Sequence, residues 1–208
     1  MLRRVVVTGL GAVSPNGIGQ REFWENTCKG ISGIDRITSF DPVNLACQIA
    51  GEVTNFDPSL YYSSADLKKL PRTVPLAVAA TQEALASAGI DLGSFSEEDF
   101  ESLGVLVGTG GSGFDFSEKQ FEIYFSQHKN KISPYAISNS LVGMLSSEIS
   151  MRFGFQGRRR PDLHGLLGSL RPRFRQFRAC CPVCIVPLKT LGRLLKNNRR
   201  QKNLYHHS

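Results

Sequence analysis

The chain has 208 residues, 41% of them hydrophobic, enough for one good-sized domain or two small ones with a packed core. Its net charge of +7 is uneven: residues 158–208 carry ten Arg and three Lys against the single Asp162, a net of +12, which leaves residues 1–157 at −5. That split excludes a uniformly basic nucleic-acid binder, and the lack of any run of 18 apolar residues excludes a membrane-spanning helix. Five cysteines, with Cys28 and Cys47 far apart and Cys180, Cys181 and Cys184 clustered, give no paired framework and suit a reducing compartment. Met1-Leu2-Arg3-Arg4 runs directly into the first apolar stretch, which leaves no room for a targeting peptide and makes the cytoplasm the expected location.

Val5-Val6-Val7 reads as a strand buried on both faces, because three consecutive β-branched residues show no polar alternation. Gly9, Gly11 and Gly17, with Pro15-Asn16, then turn the chain. A dinucleotide fingerprint is disfavoured: Ser14 stands where its third glycine belongs, and Pro15 disfavours helix there. Residues 20–29 read as a short helix with Phe23, Trp24 and Thr27 on one face, Trp24 as a core anchor, and Gly30 as the stop. Residues 30–55 are punctuated by Gly and Asp/Pro, with a short strand expected over 47–53. From 66 to 88 the pattern is helical, with Pro75 in a first turn and Gly89 past the end. Its alanines, set on nearly every side, imply close packing against a sheet or helix.

Residues 90–101 read as an acidic loop and 103–107 as a second buried strand feeding Gly108-Thr109-Gly110-Gly111-Ser112-Gly113. This loop lacks the Lys-Ser/Thr pair of a phosphate-binding P-loop, so the plain reading is a close backbone approach. Residues 114–127 are amphipathic, with Phe114, Phe121, Tyr124 and Phe125 as the apolar stripe, and 137–152 predict a second helix ended by Gly154. Two buried strands, each followed by glycine turns and helices, define an α/β class with a mostly parallel sheet.

Taken together, five pieces carry a resemblance: Arg4-Val5-Val6-Val7-Thr8-Gly9-Leu10-Gly11, Ser14-Pro15-Asn16-Gly17, Gly30-Ile31-Ser32-Gly33-Ile34, Gly104-Val105-Leu106-Val107-Gly108-Thr109-Gly110-Gly111 and Lys131-Ile132-Ser133-Pro134-Tyr135, with Met151-Arg152-Phe153-Gly154-Phe155-Gln156-Gly157 as a further match at their end. In this order and spacing they resemble the β-ketoacyl-acyl-carrier-protein synthases, the condensing enzymes of fatty-acid synthesis, over residues 1–157. The resemblance implies an incomplete first half of a thiolase-like fold, followed over 158–208 by a basic, irregular tail. It implies an acyltransferase that condenses an acyl thioester with malonyl-acyl-carrier protein and uses no cofactor or metal. Its partners would be the acyl-carrier protein and, in the intact family, a second copy of itself. It places Gly111 at a position lining the acyl pocket and Tyr135 at an aromatic that gates it; a half-buried aromatic with no such role reads Tyr135 equally well.

Decarboxylative condensation needs a thiolate, which a helix N-terminus favours by lowering the cysteine's pKa. In the family that cysteine lies in a Thr-Ala-Cys turn just beyond the Phe-Gly segment matched at residues 153–154, and two histidines follow much later. Here Arg158-Arg159-Arg160-Pro161 comes next and no Thr-Ala-Cys occurs, so no residue is assigned as catalytic. Codons exist for Arg159 to Leu167 that, read one nucleotide later, spell Val-Asp-Leu-Ile-Ser-Thr-Ala-Cys-Ser, so a shifted frame or mis-joined exon would explain the departure. Two other roles stand beside the enzyme: a catalytically inactive fragment that pairs through its dimer-facing segments, and a polyanion binder acting nonspecifically through 158–208, where Arg171 to Arg178 interleave arginines with phenylalanines. A zinc site from Cys180, Cys181 and Cys184 with His206 or His207 lacks the usual spacing.

Overall fold

The computed structural model describes residues 6–109, 113–128, 131–141 and 143–157. The chain opens with a minimal hairpin, β1 (Val13–Ser14) against β2 (Gly17–Ile18), and α1 (Gln20–Cys28) follows. A second antiparallel pair, β3 (Ile34–Arg36) and β4 (Ile49–Gly51), aligns Ile34 with Gly51 and Arg36 with Ile49. Next come a 3-10 turn at Pro58–Leu60, α2 (Ser64–Leu67) and the long α3 (Thr73–Ser87). A further 3-10 turn (Leu92–Ser94), α4 (Glu97–Ser102), α5 (Phe114–Phe121) with a π-helical continuation (Glu122–Ser126), α6 (Ala136–Ser140) and α7 (Met144–Phe153) complete the order.

The core lies between α3 and α7. Val74, Ala77, Val78, Met144, Leu145 and Ile149 form one buried cluster, flanked by Leu70, Val105, Val107, Phe153 and Phe155. The alanines do what their spacing predicts. A Cβ at Gly9 would collide with the Ala84 carbonyl and one at Gly11 with the Ala80 carbonyl, so only hydrogen at both positions lets the opening segment lie on α3. The Glu83 carboxylate then pins the same segment, accepting from the Ala12 N–H at 2.8 Å and the Gln20 N–H at 2.7 Å.

Short elements are held by their caps. The Ser63 hydroxyl accepts from the Asp66 N–H at the start of α2, and Ser96 with Asp99 forms a reciprocal capping box on α4. The span read as an acidic loop therefore contains a helix, whose acidic first turn suits the positive end of its dipole. At α3 the capping residue is Arg72, whose N–H donates to Asp115 of α5 at 3.1 Å and whose guanidinium donates to the Val53 carbonyl.

Several expectations are corrected. Val7 is 61% exposed, and neither it nor the 103–107 segment joins a ladder among the described residues. Leu106 faces out at 48% exposure, while Val105 and Val107 lie on the helical cluster, so this segment is apolar on both sides but covered on one. The two ladders among the described residues are antiparallel pairs of two strands. Trp24 is 64% exposed and anchors no core, and although α1 contacts both strands of the β1–β2 hairpin it buries none of its own residues. Of the expected 114–127 stripe, Phe114, Phe121, Tyr124 and Phe125 are exposed, and the buried ring is Phe116. The helix expected over 137–152 divides into α6 and α7, with Leu141 turning extended (φ −77°, ψ 136°). Ser138 and Ser140 donate their hydroxyls to the carbonyls three residues back, which competes with the helical ladder. Gly154 does end α7 in the left-handed region (φ 73°).

Candidate functional site

A groove of about 760 Å³ lies between α2 with its following turn and the α6–α7 pair. Tyr135 lies on its wall, 44% exposed, at the N-terminus of α6. The turn that carries it is fixed by Ser133, whose N–H donates to the Gln120 side chain at 2.7 Å and whose hydroxyl accepts from the Tyr135 N–H at 3.2 Å. Gly111, the other position named from the sequence, lies outside the described residues. Gly113, just after it, adopts φ 69°, and a Cβ there would collide with the Asn139 carbonyl, so the end of the glycine loop is pressed onto α6. Asn139 itself is 3% exposed and donates its amide to the Lys69 carbonyl at 2.7 Å, which fixes the width of the groove floor.

The polar lining has a specific state. Lys69 pairs with Asp66 at 3.5 Å. The Arg152 guanidinium donates to the Tyr61 carbonyl at 2.9 Å and lies over the Tyr62 ring, 5.1 Å from its centroid. That engagement turns Arg152 away from Glu148 one helical turn earlier, and no ion pair joins these two among the described residues. Burial pushes the Glu148 carboxyl above its usual range. Burial likewise raises the Tyr62 phenol, with the Glu148 charge adding to it, and the Tyr62 hydroxyl has no hydrogen-bond partner among the described residues. None of these three residues was singled out from the sequence. The four-residue spacing of Glu148 and Arg152 carries no functional signal by itself, and Tyr61-Tyr62 sits outside any periodic stretch that would mark it.

Cys28 and Cys47 are exposed free thiols, and no group of three or more metal-ligating side chains occurs among the described residues. The considered zinc ligands, the polyanion-binding stretch and the proposed frame change all lie at residues 158–208, outside the described part. No helix among the described residues is long and apolar enough to cross a membrane.

The model of the β-ketoacyl synthase N-terminal domain matches residues 2–159, and the chain belongs to that family. Among its relatives, 3-oxoacyl-[acyl-carrier-protein] synthase 2 of Coxiella burnetii is 33% identical over 155 residues, 74% of this chain and 37% of that protein. The tetracenomycin polyketide synthase ketoacyl synthase beta subunit of Streptomyces glaucescens is 35% identical over 153 residues, again 74% of this chain and 37% of that protein. The chain thus spans just over a third of the length of these relatives. Among solved structures, the ishigamide ketosynthase/chain length factor aligns with a TM-score of 0.60 at 24% identity, covering 77% of this chain and 40% of that one. A β-ketoacyl synthase from Burkholderia phymatum STM815 aligns with a TM-score of 0.62 at 21% identity, covering 76% of this chain and 38% of that one. The fold is accordingly α/β and thiolase-like, represented by part of its first half.

Proposed function

We propose that this chain is the N-terminal portion of a 3-oxoacyl-acyl-carrier-protein synthase, built for decarboxylative condensation of an acyl thioester with malonyl-acyl-carrier protein in fatty-acid synthesis. The family match over residues 2–159 carries the reading. In this reading residues 1–157 are the scaffold and 158–208 a separate basic tail. Gly111 and Tyr135 line the acyl pocket, the acyl-carrier protein is the partner, and a second copy completes the dimer in the cytoplasm. A solved relative described as a type II polyketide ketosynthase in complex with its acyl-carrier protein supports the choice of partner.

Residues 1–208 alone do not turn over in this proposal, since no Thr-Ala-Cys follows Gly157 and none of Cys180, Cys181 and Cys184 lies in that context. Incubating the purified chain with malonyl-acyl-carrier protein and following carbon dioxide release tests this directly. No release above background is expected, and turnover would overturn it. Reading the encoding nucleotides across codon 158 tests the shifted frame: a clean in-frame read giving these same residues ends that explanation. If the tail binds polyanions, deleting 158–208 abolishes that binding and leaves pairing through the scaffold intact.

A further inference from the structure

Asn16-Gly17 is the one Asn-Gly pair of the chain, and it lies at the tip of the β1–β2 hairpin. In such a pair the glycine nitrogen reaches the asparagine side-chain carbonyl carbon most readily, because no Cβ stands in its way. Ring closure requires the asparagine side chain and the following peptide to rotate toward each other. Here both are held. The Asn16 Nδ2 donates to the Thr27 Oγ1 at 3.1 Å and the Asn26 Nδ2 donates to the Asn16 carbonyl at 2.8 Å, so two residues of α1 hold one residue of the turn. Gly17 is buried against the first turn of α1, where a Cβ on it would fall 2.6 Å from the Phe23 nitrogen. Gly17 also pairs with Ser14, two residues from the Gly19 N–H that donates to the Ala12 carbonyl, which is where antiparallel alternation sets the next bonded pair.

We propose that Asn16-Gly17 is a self-modification site of this chain, closed while α1 lies on the β1–β2 hairpin and reactive when α1 lifts from it. In the step, the Gly17 nitrogen gives its proton to solvent base and bonds to the Asn16 Cγ, the Cγ–Nδ2 bond breaks, and Nδ2 leaves as ammonia. Water then adds to either carbonyl of the cyclic imide and opens it, to aspartate or to isoaspartate, in which the main chain runs through Cγ. Nothing is oxidised or reduced, and water is the sole co-reactant. The product opposes redocking. A carboxylate has no hydrogen to offer the Thr27 Oγ1, whose own proton is already given to the Phe23 carbonyl at 2.6 Å. The new charge also joins Glu22 and Glu52, which line the same cavity as Asn16. The inference goes beyond the condensing reading and is independent of it, since no thiolate, thioester or acyl-carrier protein takes part.

The test incubates the full chain in mildly alkaline buffer, with and without urea above the unfolding transition, and follows amide-to-acid conversion by peptide mass mapping. Conversion at Asn16 is expected to be about tenfold or more slower in the folded chain than in urea, the margin of a local opening. Thr27→Val, at an exposed position, is expected to raise the folded rate several-fold and leave the rate in urea unchanged. Thr27→Ser keeps the hydroxyl and is expected to keep the slow rate. Asn16→Asp carries the product charge from the start, and it is expected to quicken amide exchange in α1 while exchange in the α3–α7 pair stays as it was. Equal rates with and without urea overturn the proposal, as does a Thr27→Val rate that matches the parent, or exchange in α1 that Asn16→Asp leaves unmoved. Carbon dioxide release from malonyl-acyl-carrier protein bears only on the condensing reading, so the two can fail separately.

Discussion

The α3–α7 pair and the β3–β4 pair behave as opposites within one chain. Val74, Ala77 and Ile149 in the helices are fully buried, whereas Ile34 and Ile49, on paired strands, are 55% and 59% exposed. A helix closes its hydrogen bonds within its own segment and then needs only one apolar stripe met by one neighbour. A strand needs hydrogen-bonded neighbours on its edges and cover on its faces, and a ribbon of two gains little of either. The same contrast explains Val7 and Leu106, apolar residues of segments that join no ladder among the described residues.

The sharpest way to test this contrast is a matched pair of truncations. Ile149→Ala is expected to lower unfolding free energy by about 2–5 kcal/mol, since it empties a site with no exposure, whereas Ile49→Ala changes it by at most about 0.5 kcal/mol. Similar shifts in the denaturant midpoint for both would erase the distinction. Gly11→Ala comes next. Its Cβ would meet the backbone of α3 at Ala80 and Ala84, where nothing can rotate away, so a loss of about 1–3 kcal/mol is expected from thermal unfolding. Trp24→Ala is expected to cost less than about 0.5 kcal/mol despite the size of the ring, and a larger loss would show that α1's outer face is covered after all.

The smallest effect is local and depends on pH. Glu52 accepts from the backbone and hydroxyl groups of Thr38 and Ser39, at 2.6 to 3.1 Å, and these bonds hold its carboxyl down to about 2. A depressed folded-state value stabilises the ends of the β3–β4 pair above the ordinary carboxyl range, and that contribution is lost as pH falls toward 2. Amide exchange at Thr38 and Ser39 should therefore quicken on acidification, beyond the intrinsic trend, without global unfolding. Glu52→Gln should show fast exchange at every pH, and an acid response that persists in that variant would place its origin elsewhere.

Much of the helical layout could be read from residue types. Pro75 in the first turn and Gly89 past the end bracket α3, and the alanines correctly announced a close partner, although they could not say that the partner is the glycine-bearing opening segment. The family could be read from motif order alone. The groove chemistry could not, because it arises when Arg152 leaves its helical neighbour Glu148 for Tyr61 and Tyr62, residues 91 and 90 positions away in sequence. The exposed aromatics misled for a related reason. Their helical spacing marks a stripe but says nothing about whether an element covers it, and α5 buries Phe116 from a different side. The division at Leu141 was hidden because hydroxyl groups that bond back to the chain leave no trace in apolar periodicity.

Beyond α7 the chain returns to its own earlier course: the Gln156 N–H donates to the Phe100 carbonyl at 3.0 Å and the Gly157 N–H to the Leu103 carbonyl at 2.7 Å. A Cβ at Gly157 would run into that second carbonyl, so the knot closes only around glycine. Mechanically this is a cleat. Tension on the polypeptide beyond residue 157 would be transmitted to Phe100 and Leu103 before it reaches α7, which shields the helical pair from such a pull.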